Sequence, residues 1–348
     1  MIKTSDRYIT KTALLSFVVF TFSFAQTAVA QVSLTGAGAT FPAPIYQKWF
    51  NVYQSVGKAQ INYQPNGSGG GIKAVTEGTV DFGASDMPLT DEQLKQYKSK
   101  HRFEVLMLPT VLGAAVPVYN VPGISQELNF TPEALSGIYL GKVTTWNDPA
   151  IAKANPGVKL PGSKIVVTHR SDGSGTTFCW TDYLSKVSPE WSSKVGKNTS
   201  VDWPVGLGAK GNDGVAGLIK QQPGSIGYVE LIYAVKNKLP YGKVKNKSGD
   251  FVKADLASVT AAASGVKSIP ADYRISITDS AAKGAYPIAT FTWLLVPSKF
   301  SDPAKGKAMA GFLKWAITEG QNSVEALSYS KLPPAMVAKE QSTIASIH

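Results

Sequence analysis

His169-Arg-Ser-Asp-Gly-Ser-Gly-Thr-Thr-Phe-Cys-Trp180 is the stretch from which the fold can be worked out. The aliphatic residues 165–168 before it predict a short buried strand, and Thr176 opens a predicted helix. A strand, a glycine-rich turn and a helix N-terminus together direct unpaired backbone N–H groups and the positive end of a helix dipole at an anion. Arg170 adds a planar fork of donors suited to a tetrahedral oxyanion, and Asp172 is near enough to hold that fork. Taken alone, the stretch also fits a polar loop with a surface ion pair.

Two further glycine turns have the same arrangement. Thr35-Gly-Ala-Gly-Ala-Thr-Phe-Pro-Ala-Pro-Ile-Tyr46 follows a predicted strand at 32–34, and it leaves the Thr40 hydroxyl and the Phe41 amide at the start of a helix. Asn66-Gly-Ser-Gly-Gly-Gly71 follows a second predicted strand and puts Ser68 at another helix start, although a flexible linker is the alternative there. Because open α/β sheets bind ligands at the carboxyl ends of their strands, we expect the three turns to converge.

Asp86 ends a predicted strand at 80–86 and would point toward the same place as these donors. A carboxylate among donors is suited to an anion only if the ligand has a proton to give. The alternative is that Asp86 merely caps the helix predicted to begin near Thr90.

The remaining segments complete an α/β pattern. Residues 106–119 are a long apolar stretch, interrupted by proline and glycine, that we interpret as a crossing between domains. Residues 226–230, 275–278 and 288–296 are predicted strands. Residues 303–319 are a predicted helix, and its apolar face is Met309, Phe312, Leu313, Ala316 and Ile317.

Residues 206–211 formally match G-x-G-x-x-G, the fingerprint of dinucleotide-binding turns. Pro204 lies in what would be the feeding strand, and no series of βαβ units follows. We therefore discount a dinucleotide site and expect Lys210 at the surface or at the rim of a cleft.

Residues 1–30 predict a secretory signal. A basic start is followed by a short apolar core at 13–24 and by Ala28-Val29-Ala30, a cleavage motif. Cleavage after Ala30 would leave Gln31 first, and the absence of cysteine there argues against a lipid anchor. We expect an exported protein that acts in the periplasm.

Composition argues against several function classes. The net charge is +11, but lysines are dispersed and no arginine-rich block occurs, so we expect no nucleic-acid partner. Cys179 is the only cysteine, which rules out an internal disulfide and suits a small buried side chain. The three histidines do not cluster with acids at metal-ligand spacing, so we expect no metal and no cofactor. Neither a G-x-S-x-G elbow nor a Walker A motif is present.

Seven motifs, in this order, resemble those of the periplasmic phosphate-binding proteins that serve phosphate ABC transporters. They are TGAGATFPAPIYQKW (35–49), GSGGG (67–71), VDFGASDMPL (80–89), IYLGKVTTWND (138–148), RSDGSGTTF (170–178), WPVGLGAKGNDGV (203–215) and IGYVE (226–230). The resemblance covers essentially all of residues 31–348. It implies that backbone and hydroxyl donors, one arginine and one acidic acceptor hold the anion. The implied phosphate-binding residues are Thr40, Phe41, Ser68, Asp86, Arg170, Ser174, Gly175 and Thr176. Asp172 would orient Arg170.

The resemblance also implies the architecture and the partners. The fold would be that of a type II periplasmic binding protein: two α/β domains, joined by two hinge crossings, with the ligand in the cleft between them. Residues 31–111 plus 290–348 would form domain I, and residues 112–289 would form domain II. The expected function is binding of inorganic phosphate and its delivery, by a monomer, to the permease subunits of an ABC transporter. The alternatives are a binder of sulfate or arsenate, or a secreted phosphatase using Ser174 or Ser68.

Overall fold

The computed structural model describes residue 1, residues 31–56 and residues 58–348, in which strands and helices alternate. The predicted signal and its cleavage site lie outside these described residues. The strands are β1 (Ser33–Gly38), β2 (Gln60–Gln64), β3 (Phe82–Ser85), β4 (Val105–Asn120), β5 (Asn129–Phe130), β6 (Val166–Arg170), β7 (Leu207–Ala209), β8 (Ser225–Glu230), β9 (Lys243–Lys245), β10 (Phe251–Val252) and β11 (Ala289–Pro297).

The helices begin for the most part just after strands. They are α1 (Ala43–Ser55), α2 (Ser68–Glu77), α3 (Asp91–His101), α4 (Pro132–Tyr139), α5 (Pro149–Ala152), α6 (Gly175–Val187), α7 (Pro189–Lys194), α8 (Gly211–Gln221), α9 (Leu231–Lys236), α10 (Leu256–Ser264), α11 (Pro303–Ala316) and α12 (Pro334–Ile344). Within the described ranges, no helix combines the length and the apolar character needed to span a membrane.

Eight strands form one mixed sheet in the order β2-β1-β3-β11-β4-β8-β6-β7. Strands β1, β2 and β3 are parallel at one side, and β6, β7 and β8 are parallel at the other. The antiparallel strands β11 and β4 join the two groups. A small second sheet has the order β10-β9-β5. The predicted α/β class is thus confirmed, with parallel strands whose carboxyl ends lead into helices.

The long apolar stretch forms the single continuous strand β4. Its first part pairs with β11 as far as Ala114 opposite Ala289, and its last part pairs with β8 from Ala115 opposite Glu230. The register shifts beside Pro109, which is where a strand tolerates a residue without an N–H group. One strand therefore connects both groups of parallel strands.

Aromatic side chains fill the core on each side of β4 and β11. The predicted apolar face of α1 is buried, and Phe50 and Tyr53 each lie 5.3 Å from Phe312 of α11, measured between ring centroids. In the other group, Trp180 stacks on Tyr228 at 5.1 Å. Such rings contribute a large buried apolar area and hold the strand ends in place.

Cys179 is buried, as its sequence setting predicts. Burial raises the pKa of its thiol well above the ordinary value, so the side chain is an unreactive core residue.

Two predicted elements differ in the structure. Helix α11 ends at Ala316 rather than near residue 319, and a short 3-10 turn, Glu319–Ser323, follows it. Residues 275–278 are not a strand. Side chains hold this segment instead, because the buried carboxylate of Asp182 accepts a hydrogen bond from Ser276 Oγ at 2.7 Å, and Lys186 Nζ donates to the Thr278 carbonyl at 3.0 Å. The alternation of apolar and polar residues in this segment therefore comes from polar side chains and carbonyls that bind Asp182 and Lys186, without strand pairing.

The packing of α2 against the sheet predicts a destabilising substitution. A Cβ at Gly71 would lie 2.6 Å from Gly38 Cα and 2.7 Å from the Ala84 carbonyl oxygen, which are backbone atoms of neighbouring strands. Gly71→Ala should therefore cost about 2 kcal/mol or more of unfolding free energy, measured by denaturant titration. The control is Gly217→Ala in α8, where no atom outside the local helix backbone would lie within 4 Å of the added Cβ. It should stabilise the protein by about 0.5–1 kcal/mol, and equal effects of the two variants would contradict the prediction.

Candidate functional site

Four helix N-termini meet at the carboxyl ends of the parallel strands. They belong to α1, α2, α6 and α8, and three contacts between their loops bring them together. The Gly175 amide donates to Ser68 Oγ at 3.0 Å, and the Gly69 amide donates to the Gly173 carbonyl at 2.9 Å. The third contact joins the α1 loop to the start of α8, where Asn212 Nδ2 donates to Thr40 Oγ1 at 2.8 Å. The three turns predicted to converge thus lie together, and a fourth helix joins them.

Asp86 lies directly after β3 with its carboxyl group buried in this assembly. Thr292 Oγ1 donates to Asp86 Oδ1 at 2.7 Å, and Ser68 Oγ lies 3.5 Å from Oδ2. Burial raises the pKa of Asp86 to about 7, although Thr292, the charge of Arg170 and Ser68 act in the opposite direction. The carboxyl group can therefore accept a proton near neutral pH.

The alternative role for Asp86, as a helix cap, is wrong. Thr90 caps α3, since its side chain accepts from the Gln93 amide at 3.2 Å while Gln93 Oε1 accepts from the Thr90 amide at 3.0 Å. This is a complete capping box, so the first turn of α3 does not need Asp86.

Arg170 ends β6 as a buried cation held by Asp172. Its Nε and Nη2 atoms donate to the two carboxylate oxygens of Asp172 at 2.7 and 2.5 Å. The Gly211 amide, at the start of α8, donates to the same carboxylate at 3.0 Å. Burial raises the pKa of Asp172, but the hydrogen bonds and charge of Arg170 outweigh it and hold that pKa below the ordinary value. Arg170 Nη1 is left on the side of Thr176, 3.5 Å from its hydroxyl.

The start of α6 lies against Asp86. A Cβ on Gly175 would come within 2.5 Å of the Asp86 side chain and 2.6 Å of Ser68 Oγ, so only glycine allows this approach. Ser174 caps the helix, because its Oγ accepts from the Thr177 amide at 3.1 Å, and its own amide donates to the Thr199 carbonyl at 2.8 Å. The Ser174 amide is thus used within the protein, whereas its hydroxyl accepts from the Thr177 amide and keeps its proton for another acceptor.

Two tyrosines hold the loop that carries Thr40 and Phe41. Tyr233 donates to the Thr40 carbonyl and Tyr329 donates to the Phe41 carbonyl, each at 2.6 Å. Both peptide groups are thereby fixed, and the Thr40 side chain and Phe41 are buried beside the start of α1.

The structure adds Asn212 and Thr292 to the predicted set. Asn212, in the first turn of α8, donates from Nδ2 to Thr40 Oγ1 at 2.8 Å and to Thr176 Oγ1 at 3.2 Å. The signal for Asn212 was the glycine run at 206–211, because β7, a turn and α8 do follow one another there. The glycine run thus marks a fourth helix start independently of any dinucleotide site. Thr292 had no local signal, since it lies in the middle of β11.

The histidine nearest in sequence to the site is part of the core packing. His169 stacks on Trp203 with ring centroids 4.8 Å apart, and its Nδ1 lies 3.0 Å from the Arg170 carbonyl. Lys210 is exposed, as expected. Across residues 31–56 and 58–348, no group of three His, Cys, Asp or Glu side chains is placed to hold a metal ion.

Comparison with known proteins first identifies the superfamily to which the chain is similar. A family model described as a PBP superfamily domain matches residues 25–319. The fold agrees, since the structure of PfluDING, described as a high affinity periplasmic phosphate-binding protein bound with phosphate, matches with a TM-score of 0.73. That likeness covers 89% of this chain and 93% of the other at 21% sequence identity.

Curated relatives narrow the class to one family. The phosphate-binding protein PstS of Xylella fastidiosa strain Temecula1 is 44% identical over 317 residues, covering 90% of this chain and 85% of the relative. PstS of Pasteurella multocida is 42% identical over 334 residues, covering 95% of both. The chain belongs to the PstS family of phosphate-binding proteins, within the PBP superfamily.

The buried carboxyl group predicts how stability depends on pH. Because the pKa of Asp86 is about 7 in the folded protein and 3.8 ordinarily, the folded state binds more protons between these values. The unfolding free energy contributed by this group must fall as pH rises from about 4 to 7. Asp86→Asn should remove this loss. For the phosphate-free protein, the unfolding free energy of the variant minus that of wild type should be about 4 kcal/mol larger at pH 8 than at pH 4.

Urea unfolding of the phosphate-free protein at both pH values measures the effect. Asp172→Asn is the control, since the pKa of Asp172 is lowered, so that its contribution to stability is largely present at both pH values and is lost only as pH falls below the ordinary value of 3.8. A pH-independent difference between Asp86→Asn and wild type would contradict the prediction.

Proposed function

We propose that this protein binds inorganic phosphate at the meeting point of α1, α2, α6 and α8 and presents it to a phosphate ABC transporter. The observation that carries the proposal is the buried carboxyl group of Asp86 inside a set of hydrogen-bond donors. A site for an anion without a proton would have no use for this acceptor. Membership of the PstS family, and the phosphate-binding names of the relatives, support the same ligand.

The site would hold a dehydrated dianion with neutral donors and one cation. Removing water from such an anion is costly, so every ligand oxygen needs a donor. Helix starts, the hydroxyls of Thr40, Ser68, Ser174 and Thr176, and charge-assisted bonds from Arg170 can offset this cost without several buried lysines. Asp172 would keep Arg170 extended by engaging two of its nitrogens, which leaves Nη1 for the ligand.

Selectivity would rest on Asp86. Phosphate near neutral pH retains a proton that it can donate to the carboxylate, whereas sulfate has none and would face a bare negative charge. Placing like charges together costs several kcal/mol. Thr292 fixes one carboxylate oxygen, so the other is the one available to the ligand.

A binding role, and not catalysis, follows from the family. The phosphatase alternative is therefore wrong. Its two candidate nucleophiles have other roles, since Ser174 caps α6 and Ser68 Oγ accepts hydrogen bonds from the Gly175 and Asp86 amides. A nucleophilic serine would need an adjacent general base, and His169 is stacked on Trp203.

We further propose that two halves close on the ligand: residues 31–111 with 290–348, and residues 112–289. Each half would supply part of the site, with Asp86 on one side and Arg170 on the other. Both boundaries fall in the β4–β11 pair, in which Val111 faces Thr292 and Ala114 faces Ala289. Two adjacent strands that cross between halves are suited to a hinge.

The cellular setting is part of the same proposal. The signal-like residues 1–30, with cleavage after Ala30, support export to the periplasm. The partner would be the membrane permease of a phosphate ABC transporter, and the protein would work as a monomer.

The proposed selectivity has a direct test. The mature, phosphate-stripped protein should bind phosphate at micromolar Kd or better near pH 7, about −8 kcal/mol, and bind sulfate far more weakly. Asp86→Asn should reduce the phosphate-to-sulfate affinity ratio by about 100-fold, because the repulsion of sulfate is removed. Isothermal calorimetry measures both ligands. An unchanged ratio would exclude Asp86 from this role, and absence of phosphate binding to wild type would overturn the proposed function.

Replacing the buried arginine tests how the cation is used. Arg170→Lys should weaken phosphate binding about 100-fold, because one ammonium group cannot engage both oxygens of Asp172 and also reach the ligand. Arg274→Lys is a matched control, since Arg274 also donates from Nε to an aspartate two residues away, Asp272, at 2.6 Å but on the surface. Calorimetric Kd values of that variant should stay within about threefold of wild type. Similar losses in both variants would show a general effect of removing guanidinium groups.

A further inference from the structure

We propose that Asn212 is a positioning residue that fixes the direction of the hydrogen bonds made by the Thr40 and Thr176 hydroxyls, so that both can only donate to the ligand. This inference rests on the proposed function, because it concerns how the same site selects its ligand. Asn212 contacts one hydroxyl from each proposed half. Thr40 lies 172 residues away in sequence, and Thr176 lies 36 residues away.

The amide of Asn212 has a single consistent orientation. The side chain is fully buried, and its Oδ1 accepts a hydrogen bond from the Glu230 amide at 2.9 Å. A backbone N–H group can only donate, so the oxygen must face Glu230 and the NH₂ group must face the threonines. Asn212 is therefore a donor toward both hydroxyls.

The Thr40 hydroxyl is surrounded by donors. Its oxygen accepts from Asn212 Nδ2 at 2.8 Å and lies 3.4 Å from the Asn212 backbone nitrogen, which also points at it. A hydroxyl group has two lone pairs and one proton. With its lone pairs facing these donors, its proton is directed to another acceptor.

The Thr176 hydroxyl has the same polarity. Its oxygen accepts from Asn212 Nδ2 at 3.2 Å and faces Arg170 Nη1 at 3.5 Å. Its proton is likewise directed away from both nitrogens. One asparagine thus orients two hydroxyl donors, one in the loop before α1 and one in the first turn of α6.

This arrangement constrains the protonation of the ligand. A ligand proton has no acceptor at Thr40 or Thr176, because both hydroxyls turn their lone pairs toward nitrogen donors and offer only a proton to the ligand. The acceptor Asp86 lies elsewhere in the site, against the start of α6. Asn212 therefore leaves Asp86 as the position for the ligand's proton and so fixes both the orientation and the protonation state that bind.

Two substitutions separate this role from a structural one. Asn212→Asp keeps an oxygen for the Glu230 amide but turns the NH₂ group into an acceptor, so both hydroxyls would donate to it instead of to phosphate. Asn212→Ala loses both functions and lets the hydroxyls rotate. We expect phosphate Kd at pH 7.5 to rise about 100-fold or more for Asn212→Asp and about 10-fold for Asn212→Ala, measured by calorimetry. A role limited to holding the Glu230 amide predicts the reverse order.

The added negative charge needs its own control. Ser200→Asp places the same charge on an exposed residue next to Thr199, whose carbonyl accepts from the Ser174 amide at 2.8 Å. At 0.15 M salt this variant should lose no more than about threefold in affinity, because exposed charges are screened. If Asn212→Asp and Ser200→Asp have equal effects, the proposal is overturned.

A double-substitution cycle decides the question if Asn212→Asp does not fold. Thr40→Val removes one hydroxyl donor, and it should cost at least fivefold less affinity in the Asn212→Ala background than in wild type, since the hydroxyl is no longer oriented there. Additive costs would overturn the proposal. If the wild-type protein itself fails to bind phosphate, the proposed function falls first; if it binds and the cycle is additive, only the role of Asn212 falls.

Discussion

The burial of one carboxyl group, that of Asp86, constrains the rest of the site. In water a carboxylate is well solvated, and removing that water raises its pKa to about 7 here. The fold accepts this cost because Thr292 donates to one carboxyl oxygen, and because Ser68 Oγ and Arg170 lie near the group. A buried acceptor that is close to protonation is of use only to a ligand that can share a proton. In a site otherwise made of donors, it would separate protonated oxyanions from unprotonated ones.

The close approach of backbones makes this burial possible. Gly175 lies against Asp86 where any Cβ would overlap it, and Gly71 lets α2 press onto the sheet just behind. Helix starts can then supply donors without lysines, and Arg170 supplies one oriented cation through its bond to Asp172. The proposed selectivity and the use of a single buried cation would thus come from the same geometry.

Local patterns in the sequence predicted much of the fold correctly. The apolar spacing of α1 and α11 identified their buried faces, because helical periodicity is set by residues three and four apart. The same reasoning failed at residues 275–278, where apolar and polar residues alternate as in a strand although the polar ones bind Asp182 and Lys186. Alternation of apolar and polar residues indicates which side chains face inward. A strand is only one structure that gives this alternation.

The class of fold, the helix starts that follow glycine turns and the family can be read from the sequence, because each depends on residues close together in the chain or on motifs in a fixed order. The sequence also marked Arg170, Asp172 and Asp86 as unusual for their surroundings. The hydrogen bonds from Asn212 to Thr40 and from Thr292 to Asp86, across 172 and 206 residues, are seen only in the folded chain. Neither residue has a local signal for its partner. Their roles arise when β4 and β11 bring distant strand ends together, and the direction of a hydrogen bond exists only once donor and acceptor are placed.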